Sequence, residues 1–167
     1  GVLIDTLECA VTWESLAEVH AGVRAVIKAR PATVCMTHIS HFYPQGTNLY
    51  FIYLSRFENV EDYLAFQKGI IDAIVAHGGS PSHHHGIGRM LAPWMGAHLG
   101  AEQMDVLRSL KKYFDPNGIM NPGKVVQVGT RYDLAVPSTV MGGGLKLMGV
   151  LKKALPPDDE EGGCDLP

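Results

Sequence analysis

Strong charge of either sign is missing from this sequence. The net charge is -3 over 167 residues, of which 19% are charged. That gives no electrostatic footprint for nucleic acid, and no nucleic-acid partner is expected. Cysteine is sparse: Cys9, Cys35 and Cys164 are odd in number and far apart. They make a poor disulfide framework, so a reducing compartment, the cytoplasm, is expected. No apolar run is long enough to span a bilayer, and no signal-peptide pattern is present. An initiator Met is also lacking. The chain opens "GVLIDTLECAV", already in strand-like sequence, and is expected to be a piece of a longer protein.

What is present suits one soluble domain, with 46% hydrophobic residues. Residues 2–11 read as a strand. Thr12 is placed to cap a helix over 13–29, with Trp13, Leu16, His20, Val23 and Ile27 on its buried stripe. Residues 32–43 and 48–57 read as two more strands, joined by the turn "YPQGTN" into an antiparallel hairpin. Asn59 caps a second helix whose stripe is Tyr63, Phe66, Ile70 and Ile74, and Gly78 and Gly79 stop it. The order β-α-β-β-α predicts an α+β fold, a ferredoxin-like antiparallel sheet with helices on one face. A helical segment follows: a short piece around "APWMGAHL", then "AEQMDVLRSLKKYF" using Met104, Leu107, Leu110 and Phe114. "DPNG" at 115–118 has the residues of a type I turn. The domain is expected to occupy residues 1–126. Residues 127–167 are expected to form an extension with a short basic helix at 145–155 and a disordered acidic end.

The chemistry-bearing stretch is "GGSPSHHHGIGRM", residues 78–90. Imidazole titrates near neutrality, so three histidines in a tight loop suit proton transfer or hydrogen bonding to a cofactor. Gly86 and Gly88 allow the backbone to approach a flat ligand. A metal is the rival reading. Consecutive histidines on an extended loop point to alternating sides, and no carboxylate or cysteine stands at ligand spacing, so no metal is expected. Tyr50 is the second candidate. Tyr53 falls on the opposite face of its strand and reads as packing. His38 and His41 face opposite ways by the period of two, so at most one shares a pocket with Tyr50.

Three stretches together, "SHFYPQGTNLYFIYL" (40–54), "GGSPSHHHGIG" (78–88) and "LKKYFDPNGIMNPGK" (110–124), resemble the C-terminal part of FAD-linked oxidases of the vanillyl-alcohol-oxidase superfamily. The resemblance covers residues 1–126. It implies that an N-terminal domain outside this chain holds FAD. This chain would be the cap that covers the flavin ring and builds the substrate pocket. It has no Gly-rich pyrophosphate-binding segment, which agrees, and it is expected to hold FAD weakly or not at all by itself.

In several hydroxy-acid dehydrogenases of that superfamily, two hairpin histidines and a loop glutamate bind a divalent metal. Here His41 stands at the first position, Tyr50 at the second, and His84 in place of the glutamate; His85 keeps the loop histidine. The "SHHHG" loop and the pair Tyr50-Phe51 are instead similar to the alkyldihydroxyacetonephosphate synthase family, flavoenzymes of ether-lipid synthesis that exchange a fatty acid for a fatty alcohol. Ile52 departs from that family's second tyrosine. The resemblance implies Tyr50, His83, His84 and His85 as catalytic residues, and His85, Gly86, Gly88 and Asn121 against the cofactor. It implies a lipid-like substrate and leaves peripheral membrane contact and a homodimer open. Two other readings stand beside it: the cap of a D-lactate- or glycolate-type dehydrogenase acting on a hydroxy acid, and a non-catalytic ferredoxin-like interaction module.

Overall fold

A computed structural model of the chain describes residues 1–126. The extension at 127–167, its helix at 145–155 and its acidic end lie outside the described residues. Strand β1 is Val2–Thr12, helix α1 is Leu16–Ala29, and β2 and β3 are Val34–Ser40 and Gly46–Arg56. Helix α2 is Val60–Ala76; a 3-10 turn, Ala92–Trp94, leads into α3, Met95–Leu99, and α4, Ala101–Phe114.

The sheet order is β1-β3-β2, and both pairings are antiparallel. The strand with the densest branched and aromatic residues thus takes the middle. An isolated antiparallel bridge, Ala10 to Ser80, continues the sheet on the outer edge of β1. This is the expected α+β arrangement.

Period two splits the sheet into unlike faces. Leu7 and Cys9 of β1 and Leu49, Phe51 and Tyr53 of β3 are buried, together with Val19, Val23 and Ile27 of α1 and Ile70, Ile71 and Ile74 of α2. Burial, with the Glu8 charge beside it, pushes the Cys9 thiol up to about 12, so Cys9 is a protonated core residue. Tyr53 belongs to this face, as expected. Its hydroxyl donates to Asp5 Oδ2 at 3.0 Å, and Tyr63 and Gln67 of α2 donate to the same oxygen at 2.6 and 2.7 Å.

Among the described residues, the opposite face has no helix on it. Its rows are Ala10–Asn48–Ser40, Glu8–Tyr50–His38, Thr6–Ile52–Met36 and Ile4–Leu54–Val34. The first two rows are mostly polar. The last two are largely apolar, and Ile4, Met36 and Val34 are exposed.

Local expectations fail in three places. Thr12 ends β1 instead of capping a helix, and its Oγ1 accepts from the Ser15 N–H at 3.2 Å. Trp13 is 44% exposed, not on a core stripe. It stacks on Phe42, and its Nε1 donates to the carbonyls of Tyr43 and Pro44, so it braces the turn between β2 and β3. In α4 only Met104 is buried, while Leu110 and Phe114 are exposed. Asn59 does cap α2, its Oδ1 accepting from the Asp62 N–H at 2.8 Å. The "DPNG" turn also forms, with Gly118 N–H donating to the Asp115 carbonyl.

Candidate active site

The histidine loop lies over the polar end of the open sheet face. Gly79 N–H donates to the Ile74 carbonyl and turns the chain off α2. Ser80 N–H then donates to the Ala10 carbonyl and fastens the loop to the sheet edge. From there residues 82–85 lie over Glu8 and Tyr50.

Glu8 holds them. Its side chain is 1% exposed. Oε1 accepts from Ser82 Oγ at 2.7 Å and from the peptide N–H groups of His83, His84 and His85 at 2.8, 3.0 and 2.9 Å. The His83 N–H also reaches Oε2, at 2.9 Å. Burial pushes this carboxyl up, but the hydrogen bonds from His85, Ser82, His83 and His84 outweigh it, and the group sits below its ordinary value. Glu8 is the main residue that sequence reasoning missed. It lies far from the loop in sequence, and no motif joins the two.

With the backbone fixed, the rings meet. His84 stacks over Tyr50, with centroids 6.3 Å apart and planes 19° apart; His85 meets Tyr50 edge-on at 5.3 Å. The Tyr50 hydroxyl donates to Thr6 Oγ1 at 3.2 Å. His41 packs against His83 and His84 at 4.9 and 5.0 Å. Tyr43, also missed, places its hydroxyl 3.0 Å from His83 Nε2.

Two expectations are corrected. The period-two rule set His38 against His41. The structure puts His38 in register beside Tyr50 and also brings His41 to the loop. Strand β2 ends at Ser40, and His41 has a positive φ of 56°, so alternation no longer governs it. Consecutive loop histidines were expected to diverge. Instead His83 Nδ1 and His84 Nδ1 are 3.0 Å apart, because the peptide groups curl around Glu8. One ring nitrogen from each of His41, His83 and His84 falls within 4.8 Å of the others. A cation could bridge such a group; the 3.0 Å between the facing Nδ1 atoms of His83 and His84 also suits a hydrogen bond between them.

Gly86 and Gly88 have φ of 82° and 57°, and a Cβ at either would meet nothing within 4 Å. The left-handed backbone demands glycine there. Asn121, φ 45°, is exposed, and its carbonyl accepts from the Lys124 N–H at 3.2 Å. Its segment is nevertheless tied to the loop: Val125 N–H donates to the Gly88 carbonyl at 3.0 Å, and Arg89 donates to the Pro122 carbonyl at 3.1 Å. The hairpin and histidine-loop stretches therefore meet on the sheet, and the third stretch is fastened to the residues that follow the loop.

The model for the FAD linked oxidases, C-terminal domain, matches residues 1–125. The chain belongs to that family. The chain is 42% identical over 74% of its length to an alkyldihydroxyacetonephosphate synthase of Dictyostelium discoideum, of which it covers 21%. A D-lactate dehydrogenase of Archaeoglobus fulgidus is 39% identical, but over only 40% of the chain and 15% of that protein. A solved alkyldihydroxyacetonephosphate synthase is 27% identical over 72% of the chain and 19% of its own, with a TM-score of 0.48. The chain spans about a fifth of the length of the curated synthases it matches. Among the described residues, no helix is long and apolar enough to cross a membrane.

Proposed function

We propose that this cap builds the substrate side of an FAD-dependent enzyme that exchanges the fatty acid of an acyl-dihydroxyacetone phosphate for a fatty alcohol. The observation that carries the reading is Tyr50 beneath His84 and beside His85, on the sheet face that no described helix covers. The likeness to the Dictyostelium synthase over three quarters of the chain supports it.

FAD, held mainly by a domain outside this chain, would supply the electron sink for the substrate carbon. The open space above Gly86 and Gly88, next to the exposed ring of His85, fits a flat ring system. Asn121, in the segment fastened to Gly88, belongs to the same wall. The exchange is redox-neutral overall: a fatty acid leaves and an alcohol takes its place. Protons must still leave and return, and Tyr50 OH and the ring nitrogens of His83, His84 and His85 are the atoms to move them. Thr6 fixes the direction of the Tyr50 hydroxyl. Ile4, Ile52, Leu54, Met36 and Val34, on the rows leading away from Tyr50, suit an aliphatic chain. Free Cys9 and Cys35 fit a reducing compartment. In the complete enzyme the cap's partners are its own FAD domain and a lipid-like substrate, with membrane contact and dimerisation as secondary expectations.

The test is turnover of acyl-dihydroxyacetone phosphate with a fatty alcohol by the flavin-loaded enzyme. Tyr50→Phe should keep its flavin and lose about a hundredfold in rate. Full activity in that variant removes Tyr50 from the chemistry. Anaerobic bleaching of the flavin by D-lactate or glycolate, with no exchange activity, would move the assignment to a hydroxy-acid dehydrogenase.

A further inference from the structure

The loop that carries the three histidines has an unusual backbone arrangement. Three successive peptide N–H groups, 83–85, point at one atom, Oε1 of Glu8, with the Ser82 hydroxyl as a fourth donor. Successive N–H groups turned to one side form a concavity that favours an anion. Here the anion is supplied from β1. The carboxylate lies in register with Tyr50 on the neighbouring strand, so it sits beneath the rings it orders.

We infer that Glu8 is a positioning residue for the histidine loop, gathering the peptide groups of residues 83–85 and so directing their rings toward Tyr50, Tyr43 and His41. Three fixed peptide planes fix three Cα–Cβ directions. His83 is thereby presented to Tyr43 and His41, His84 to His41 and Tyr50, and His85 to the edge of Tyr50. Among the described residues no helix packs on this face, so ring placement comes from the loop's own backbone and its neighbours. The charge also matters. A neutral amide in its place would turn an NH₂ toward the His83 N–H, which already donates to both carboxylate oxygens. Aspartate would keep the charge but fall one methylene short of four donors.

Glu8 also lies 3.5 Å, through Oε2, from His84 Nδ1. The other titratable groups facing His84 are His41 from the β2–β3 connection, His83 and His85 from the loop, and Tyr50 from β3. The anchor therefore acts on the one ring in contact with His41, Tyr50, His83 and His85.

This inference rests on the proposed exchange reaction only for its kinetic arm. The experiment is hydrogen exchange at residues 83–85 in the flavin-loaded enzyme and its Glu8→Gln variant, with steady-state kinetics on both. In the wild type these loop amides should exchange as slowly as those of a strand. In Glu8→Gln they should exchange about tenfold faster or more, with α1 and α2 unchanged. kcat should fall about tenfold or more with KM within about twofold, because ring placement and not substrate contact is lost. A purely structural role would instead shed flavin and raise exchange throughout the domain. Fast exchange of the three amides in the wild type overturns the inference even if the variant does not fold. So does an unchanged kcat in a variant whose loop amides have come loose. If the wild type does not turn over acyl-dihydroxyacetone phosphate, the proposed reaction fails and the exchange data alone decide the role of Glu8.

Discussion

The hydroxyl of Tyr50 donates to Oγ1 of Thr6, 3.2 Å away on the neighbouring strand. Strand β1 thus holds both the group that aims the phenol and, two residues on, the carboxylate that holds the histidine loop above it. Replacing Thr6 with Val keeps the shape and removes the acceptor. The phenol then loses its fixed direction while remaining present. The expected result is a fall in kcat of about threefold to tenfold with flavin retained, well short of the effect of Tyr50→Phe. Parallel kinetics of the two variants check the ordering.

Glu8 makes folding pH-dependent. Its carboxyl is lowered from 4.5 in the folded protein, because hydrogen bonds from the loop outweigh burial. The unfolded chain therefore binds this proton more readily. The contribution of Glu8 to stability is present above the unfolded value of 4.5 and is lost as pH falls through the lower folded value. Denaturant midpoints should show the gap between wild type and Glu8→Gln largest near neutrality and closing below about pH 4. A gap that widens in acid would contradict the sign.

Asp5 joins the sheet to α2. One of its oxygens takes hydrogen bonds from Tyr53, Tyr63 and Gln67. Burial, with Asp5 nearby, raises the Tyr53 phenol well above its ordinary value; burial and its own bond to Asp5 do the same for Tyr63, so both stay donors. Asp5→Ala leaves all three without their acceptor and should cost about 2–4 kcal/mol. Urea unfolding measures it. Tyr63→Phe, which removes one donor, should cost about 1 kcal/mol.

The histidine cluster is expected to work without a metal ion. Treating the flavin-loaded enzyme with a chelator should leave turnover unchanged, and elemental analysis should find no stoichiometric transition metal. Loss of activity restored by zinc would place a cation among His41, His83 and His84.

The isolated chain is expected to purify colourless, since it supplies one wall of the flavin site. An absorbance spectrum with flavin at one equivalent would show that the cap suffices.

Much of the fold was legible because local signals agreed with the final packing. The dense strand at 48–57 became the central strand, Asn59 capped its helix, and Gly78 and Gly79 ended it. Trp13 misled because spacing cannot distinguish a core stripe from an aromatic that braces a turn. The stripe of α4 misled for a related reason: periodicity marks a face to be covered but not what covers it. Leu110 and Phe114 keep that face exposed here.

The sequence by itself determined the element order, the alternation that sends Tyr50 to the open face and Tyr53 to the core, and the three motif stretches that place the chain among FAD-linked oxidases. Those depend on local periodicity and on short runs of residues. Only the tertiary structure decided that the stretches meet, that His41 escapes strand alternation, and that Glu8 lies under the loop. Glu8 and His83 are 75 positions apart. Their contact exists because β1 pairs with β3 and the loop returns to the edge of β1, and no local rule encodes that return.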